Sequence, residues 1–456
     1  MVTDEQYAAV VAENGRLTTQ LETALGRIAA LETQVAELQA KKTPPPSFVK
    51  ASAPERPAKT RAKRAAEHNH GRARQEPTQI VEHAIAHCPD CGNALGGVRV
   101  GRTRQVLEVP APPPVAVIEH RVQRGWCSAC GKWREAELDL RGHVLGRQGR
   151  FGVGLAALVA HLRTTLRLPV RALQQYLADL HGLRISVGEL DRLLHQVAEA
   201  AGPTVEQIRQ RVRARAVVHG DETGWREAGR NGYVWGLMTP EGERYFTYAH
   251  SRAGAVINGL LGEAFTGVLV TDFYGGYNDT PGGQHQRCWV HLLRDVHALA
   301  EAARPAPDPV GEQVRAWTAA VKTLWQQIRA ASTSPPADPA QREQTYQILL
   351  QQVRALGAQF VEQRGHPCHA LAWRLWHFQG ELLTCVQHPA VPPDNNAAER
   401  AIRPLVVARK ISGGTRSPSG SSTRMTLYSL VATALASGRN PLTACQHILR
   451  GPLPQM

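Results

Sequence analysis

Two stretches, Val217-Val-His-Gly-Asp221-Glu-Thr-Gly-Trp225 and Gly267-Val-Leu-Val-Thr-Asp272, decide the fold. Each is a short β-branched apolar run that meets an aspartate, the pattern of a buried strand carrying a carboxylate at its end. Around them the period is that of strands: Ala214–His219, Gly232–Met238 and Glu243–Ala249, the last two joined by the turn Thr239-Pro-Glu-Gly242. A helix over about Arg252–Leu261 and the strand Val268–Thr271 follow, then a fifth strand near 284–289 and a helix opening at Cys288-Trp-Val-His291. Three meandering strands, a helix and a further strand predict an α/β fold with a ribonuclease-H-like core.

A third acidic residue, Glu399, follows Pro393-Asp-Asn-Asn-Ala-Ala and opens the helical stretch Glu399-Arg-Ala-Ile-Arg-Pro404. Two strand-end carboxylates and one on a distant helix can share a pair of divalent cations. Two Mg²⁺ ions about 3.5–4 Å apart serve in-line attack at a phosphodiester, activating the nucleophile and relieving charge on the leaving oxygen. Magnesium takes hard oxygen ligands and keeps waters, so a few carboxylates suffice. By local sequence alone Asp394, Glu362 and Glu381 rival Glu399 for the third place.

Charge points to the same substrate. The 456 residues carry a formal charge of +14, which favours a polyanionic partner. Between Lys41 and Arg74 ten basic residues face two acidic ones. No apolar run is long enough to span a bilayer, and the polar, acidic N-terminus does not resemble a secretory signal. A cytoplasmic chain, nucleoid-associated when bound to DNA, is expected.

Working outward, residues 1–42 predict a dimerisation helix. Tyr7, Asn14, Leu21, Ile28 and Val35 fall at the a positions of a heptad, and Leu17, Ala24, Leu31 and Leu38 at d. Apolar a and d positions with one polar Asn14 favour a parallel two-stranded coiled coil. Residues 43–79, rich in Pro, Ala, Lys and Arg, read as a basic flexible linker. Residues 80–150 contain His87-Cys88-Pro-Asp-Cys91-Gly92 and Cys127-Ser-Ala-Cys130-Gly131. Four such thiolates can hold structural Zn²⁺ tetrahedrally. With strands expected over Val98–Val109 and Val115–Val122, on either side of Pro110-Ala-Pro-Pro-Pro114, the segment reads as a zinc ribbon.

Residues 151–213 read as a helical DNA-binding region. Helices are expected over Phe151–Leu166 and Val170–Leu180, with a third from the cap Ser186 through Ala200 and a capping box completed by Glu189. The short turn at His181-Gly182 allows a helix-turn-helix. The core's first part spans 214–300, a helical insertion 301–390, and the second part, with Glu399 and the C-terminal helices, 391–456. Trp373 and Trp376 in the insertion are expected to be core residues; Trp225 and His291 near the carboxylates either line the site or, the safer reading, are buried core; Asn395 and Asn396 are expected to orient the turn or cap the helix of Glu399. Arg400, Arg403, Arg409 and Lys410 place four cations near Glu399, suited to DNA phosphates.

These motifs together resemble bacterial transposases of the insertion sequence sixty-six family, of the Asp-Asp-Glu type. The resemblance covers nearly the whole chain: the zipper-like N-terminus, both cysteine pairs, His219-Gly-Asp221-Glu-Thr223, Thr271-Asp272-Phe-Tyr-Gly-Gly-Tyr277, Cys288-Trp-Val-His291, and Asp394-Asn-Asn-Ala-Ala-Glu399-Arg400-Ala-Ile-Arg403-Pro404 with Arg409-Lys410. It selects Glu399 over its rivals and implies Asp221, Asp272 and Glu399 as the Mg²⁺-binding (or Mn²⁺-binding) triad. It also implies DNA-end recognition by the N-terminal half and accessory proteins of the same element, so the expected partners are the element terminal inverted repeats and target DNA, bound by the homodimer that the heptad pattern predicts. The chain departs from the family at Ile411-Ser-Gly-Gly-Thr-Arg416, where asparagine and aromatic residues are usual. The expected activity is strand cleavage at element ends and strand transfer. A nuclease without strand transfer and a non-catalytic DNA-binding regulator are the rivals.

Overall fold

The computed structural model describes residues 4–40, 74–146, 149–280, 283–303 and 308–451. They fall into two units, Met1–Val109 and Pro110–Met456.

The first unit begins with a continuous helix, α1 (Asp4–Ala40). Leu17, Leu21, Ile28, Leu31 and Val35 are all more than half exposed, so among the described residues the apolar seam has no partner. Most of the expected linker, residues 41–73, lies outside the described residues. From Arg74 the backbone is extended and irregular, tied by the Arg74 guanidinium to Thr103 Oγ1 (2.6 Å) and by the Gln105 side chain to the backbone of Gln75.

The strands expected over Val98–Val109 and Val115–Val122 do not form. Val100, Val109 and Val117 are 80–91% exposed. These alternating side chains meet no layer that could bury them, and burial is what normally fixes strand register. The second unit instead opens on a smaller hairpin, β1 (Arg124–Cys127) with β2 (Lys132–Glu135). Trp126 lies directly opposite Trp133, ring edge to face at 5.9 Å, a cross-strand aromatic pair of the kind that stabilises short ladders.

Three helices follow: α2 (Val153–Thr164), α3 (Val170–His181) and α4 (Val187–Arg213). Helix α4 starts at Ser186, whose hydroxyl accepts the Glu189 N–H at 3.1 Å. The reciprocal half of the capping box is absent, because the Glu189 carboxylate pairs with Arg192. The helix also runs past its expected end at Ala200, through Pro203 to Arg213. Proline forfeits one backbone hydrogen bond, but Val205, Ile208 and Val212 keep the same face buried beyond it.

A five-stranded sheet comes next: β3 (Val217–Glu227), β4 (Arg230–Met238), β5 (Arg244–Ala249), then helix α5 (Gly254–Leu261), β6 (Val268–Thr271) and β7 (Gln284–Arg287). The order is β5-β4-β3-β6-β7. The first three strands are antiparallel, and β6 and β7 run parallel to β3. Alternate residues of each strand serve opposite faces. Val218 and Leu269 join a core with α2–α5 and two late helices, whereas Val217, Val268 and Val270 join a second core with the helices inserted after β7.

Those inserted helices are α6 (Trp289–Ala302), α7 (Pro309–Thr333), α8 (Pro339–Ala358), α9 (His369–His377) and the single turn α10 (Thr384–Gln387). Trp289 is fully buried and stacks on Trp325. Trp373 and Trp376, expected in the core, are 41% and 39% exposed. On α9 the inward face belongs to Leu371, Ala372 and Leu375, which leaves the two tryptophans at the rim. The chain ends with α11 (Asn396–Ser412), α12 (Pro418–Ala436) and α13 (Pro441–Arg450). Helix α12 packs on β5 and α4 and closes the first core.

Candidate active site

Strand β3 is longer than its apolar run. It pairs with β6 only over Val217–His219 but with β4 as far as Glu227. Asp221 is therefore inside a strand rather than at its end, opposite Gly236. It sits just past the point where the parallel neighbour stops, so its flank on that side is open. Asp272 is the first residue beyond β6. Glu399 occupies the first turn of α11, where the helix dipole favours a carboxylate. Three carboxylates from three parts of the chain thus lie near the C-terminal end of the interior strand β6, close enough for the charges of Asp272 and Glu399 to act on Asp221.

The backbone fixes one oxygen of each aspartate. Asp221 Oδ1 accepts the Glu222 N–H and Asp272 Oδ1 accepts the Tyr274 N–H, both at 2.9 Å. Among the described residues, no lysine or arginine stands within ion-pair distance of either. Burial pushes the Asp221 carboxyl up to about 7, helped by the negative charges of Glu222, Asp272 and Glu399. An isolated acid in this position would tend to hold its proton; a divalent cation among the three carboxylates would reverse that. Carboxylate oxygens are the donor type that hard ions such as Mg²⁺ take. Among the described residues no group of three or more His, Cys, Asp or Glu is drawn tightly enough to hold a metal ion, so the carboxylates share a field rather than a common point.

Of the two readings the sequence allowed for His291, core or site lining, its side chain takes the second. Its Nε2 is 3.4 Å from Glu399 Oε1, and its Nδ1 is buried without a partner. Trp225 is core as expected, its indole N–H donating to Thr415 Oγ1 at 3.0 Å. Asn395 is the residue preceding α11, yet its side chain makes no capping bond; it turns into the protein. Asn396 begins the helix, its N–H bound to Asp394 Oδ1 at 3.0 Å.

Two further groups escaped the sequence. Glu222, its side chain 2% exposed, is held by Arg252 and by the Tyr277 hydroxyl. Arg252 lies over the Tyr274 ring at 3.7 Å. The strand expected from the sequence ends at His219, so the local pattern did not mark Glu222 as a buried acid in need of a donor. Arg287, fully buried at the end of β7, donates to Glu381 (2.6 Å), Asn278 (2.9 Å) and the carbonyl of Asp272 (3.1 Å). It ties the backbone of the second aspartate to the inserted helices. Nothing local in Gln286-Arg287-Cys288 announces that role.

Of the four cations near Glu399, Arg400, Arg403 and Lys410 are exposed. Arg409 is half-buried and donates to Thr223 Oγ1 and the Gly224 carbonyl, so its guanidinium braces β3. The unusual segment after Lys410 docks there too. Thr415 exchanges backbone hydrogen bonds with Arg226 and Ala228 at 2.9 Å. Gly414, at φ +113°, is pressed so close to the Arg226 carbonyl that a Cβ would collide with it.

Each cysteine pair forms a tight knuckle. Gly92 N–H donates to the Cys88 carbonyl at 2.8 Å and Gly131 N–H to the Cys127 carbonyl at 2.9 Å. Both glycines have positive φ, +75° and +63°, the conformation they adopt at least cost. Backbone N–H groups of Cys91 and Asp90 lower the Cys88 thiol, and that of Cys130 lowers Cys127. Thiolates, the metal-binding form, are favoured in both.

Residues 148–423 match the family model described as Transposase IS66 family, more than half of the chain. The chain belongs to the IS66 transposase family. Residues 86–131, which hold both knuckles, match the zinc-finger domain of IS66 transposases. An uncharacterised protein of Sinorhizobium fredii, y4jO, is 29% identical over 181 residues, 40% of this chain and 51% of that protein. The chain thus spans about half the length of this curated relative. No helix among the described residues is long and apolar enough to cross a membrane.

Proposed function

We propose that this IS66 family member is a DNA transposase with a ribonuclease-H-like core, cutting the ends of its element and joining them to target DNA. The observation that carries the reading is the nearness of Asp272 and Glu399 to Asp221, whose carboxyl is raised first by burial and then by the charges of Glu222, Asp272 and Glu399. Bound among these carboxylates, two Mg²⁺ ions would activate the attacking hydroxyl and offset charge on the leaving oxygen. Asp221 and Asp272 each offer the oxygen not engaged by backbone. Glu399 offers its carboxylate beside His291. Exposed Arg400, Arg403 and Lys410 would grip backbone phosphates near the cut.

The remaining parts fit this chemistry. Cys88, Cys91, Cys127 and Cys130 would hold a structural Zn²⁺, since the zinc-finger match spans all four. The unpartnered apolar seam of α1 would pair two subunits in a coiled coil, as two DNA ends require. The turn at Gly182 between α3 and α4 would serve as a helix-turn-helix for end recognition.

A labelled duplex made from the inverted repeat flanking the chain's own coding sequence tests the proposal, with Mg²⁺ and wild type set against Asp272→Asn. Metal-dependent 3′ nicking and joining, lost in the variant, is expected. Nicking without joining favours a nuclease, and binding without cleavage favours a regulator.

A further inference from the structure

Asn395 is 1% exposed and every polar atom it owns is engaged. Its Nδ2 donates to the Gly220 carbonyl at 2.8 Å. That donation leaves Oδ1 as acceptor, so His219 Nδ1, 3.0 Å away, carries the proton. Its backbone N–H donates to Cys288 Sγ at 3.2 Å. Its carbonyl accepts the N–H groups of Ala398 (3.1 Å) and Glu399 (3.2 Å), the first turn of α11. Cys288, itself fully buried, donates its own N–H to the Thr271 carbonyl at 2.8 Å.

Followed end to end, these bonds touch the residue just before Asp221, the residue just before Asp272, and Glu399 itself. Sheet pairing holds β3 to β6 but says nothing about α11, which enters after about a hundred inserted residues. The Asn395 side chain is a direct hydrogen-bonded tie between α11 and the backbone of the first carboxylate. The adjoining bond from Trp289 N–H to the Pro393 carbonyl (3.0 Å) anchors the same loop.

We propose that Asn395 is a positioning residue for the reaction proposed above: through Gly220 and Cys288 it sets the spacing of the three carboxylates, and hence how well they hold metal. The inference rests on that reading of the site. Ligand-orienting partners of this kind typically change metal affinity or activity by about 10–100-fold when removed.

The test uses the full chain and the same labelled inverted-repeat duplex. Asn395→Asp keeps the side chain's size but replaces the donor to Gly220 with an acceptor. Three quantities are measured: nicking rate at saturating DNA, the Mg²⁺ concentration giving half-maximal rate, and the Kd for DNA. The expected result is a rate lowered about tenfold or more with a raised Mg²⁺ requirement and a DNA Kd within about twofold of wild type. A purely structural role would lower DNA binding and folded yield alongside rate, without moving the Mg²⁺ midpoint of the folded fraction. Should Asn395→Asp not fold, Cys288→Ala carries the same test at the next bond, with Cys288→Ser, which restores an acceptor, expected to recover most of the rate. Wild-type rate and Mg²⁺ midpoint in the variant, while Asp221→Asn and Glu399→Gln are inactive, overturns the inference alone. Activity in Asp221→Asn and Glu399→Gln overturns the proposed function with it.

Discussion

The cysteine knuckles and the carboxylate cluster, the two places proposed to take metal, are built in opposite ways. In each knuckle the preparation is local: two cysteines three residues apart, a glycine with positive φ, and backbone N–H groups that lower the first thiol. At the carboxylate site the groups come from positions 221, 272 and 399, and burial raises Asp221 instead. In each knuckle the backbone eases ionisation of the first thiol. At Asp221 burial opposes ionisation, and a nearby cation would offset that. A local site can be read from spacing, while a distributed one depends on what the fold brings together.

The first way to break this contrast is to remove one knuckle ligand. Cys88→Ser should lower bound zinc, measured by atomic absorption, from about one equivalent to a small fraction, since breaking a tetrahedral thiolate set forfeits most of its affinity. The melting of the helices and five-stranded sheet from α2 onward should stay unchanged. Cys445→Ser is the counterpart, a buried core thiol pushed up to about 11 by burial; it should keep zinc and lose stability. Loss of zinc in Cys445→Ser would show that the knuckles are not autonomous.

The next expectation concerns the sign of the Asp221 shift. An acid with its folded-state value raised from about 4 to about 7 binds its proton more tightly in the folded chain. Stability from that proton is present at low pH and lost as pH rises between those values. Asp221→Asn should therefore melt higher than wild type at pH 8 without metal, by a few degrees on the order expected for 1–2 kcal/mol in a domain this size. The gap should close near pH 4, and Mg²⁺ should narrow it at pH 8 by stabilising only the wild type. A variant that melts lower at pH 8 would contradict the shift.

The smallest effect separates local from distant packing at two glycines. A Cβ at Gly92 meets open space, so Gly92→Ala should cost only about 1 kcal/mol of backbone strain and be seen in zinc affinity alone. At Gly414 the Arg226 carbonyl blocks the added methyl. Gly414→Ala should lower the melting temperature of the second unit further, through the lost docking of Thr415 on β3. Equal melting losses would remove the distinction.

Much of the fold was legible because its strands are short β-branched runs with clear turns. Val217–His219 and Val268–Thr271 announced themselves by composition, as did the cysteine pairs by spacing. The errors share one cause. Val98–Val109 had the alternation of a strand but no layer to cover it, and β3 continued through polar residues because β4 paired with it. Helix α4 outlasted Pro203 because its buried face did. Tertiary context decided each, and no local window contains it. The same holds at the site: Asp221 and Asp272 stood out beside apolar runs, whereas Glu399 had local rivals. Glu381, one of those rivals, proves to be the partner of buried Arg287. His291 and Asn395 gain their roles from contacts made across roughly a hundred residues or more of chain, and Arg287 joins such a contact, to Glu381, with nearer ones to Asn278 and Asp272.

The central claim is that Asp221, Asp272 and Glu399 act as one cation site. Calorimetric titration of the zinc-loaded full chain with Mn²⁺ tests it most directly, comparing wild type with Glu399→Gln, which keeps size and removes charge. The account predicts Mn²⁺ binding in the wild type that weakens at least about tenfold in the variant, with zinc content unchanged. Equal Mn²⁺ binding in both proteins would contradict it and separate Glu399 from the two aspartates.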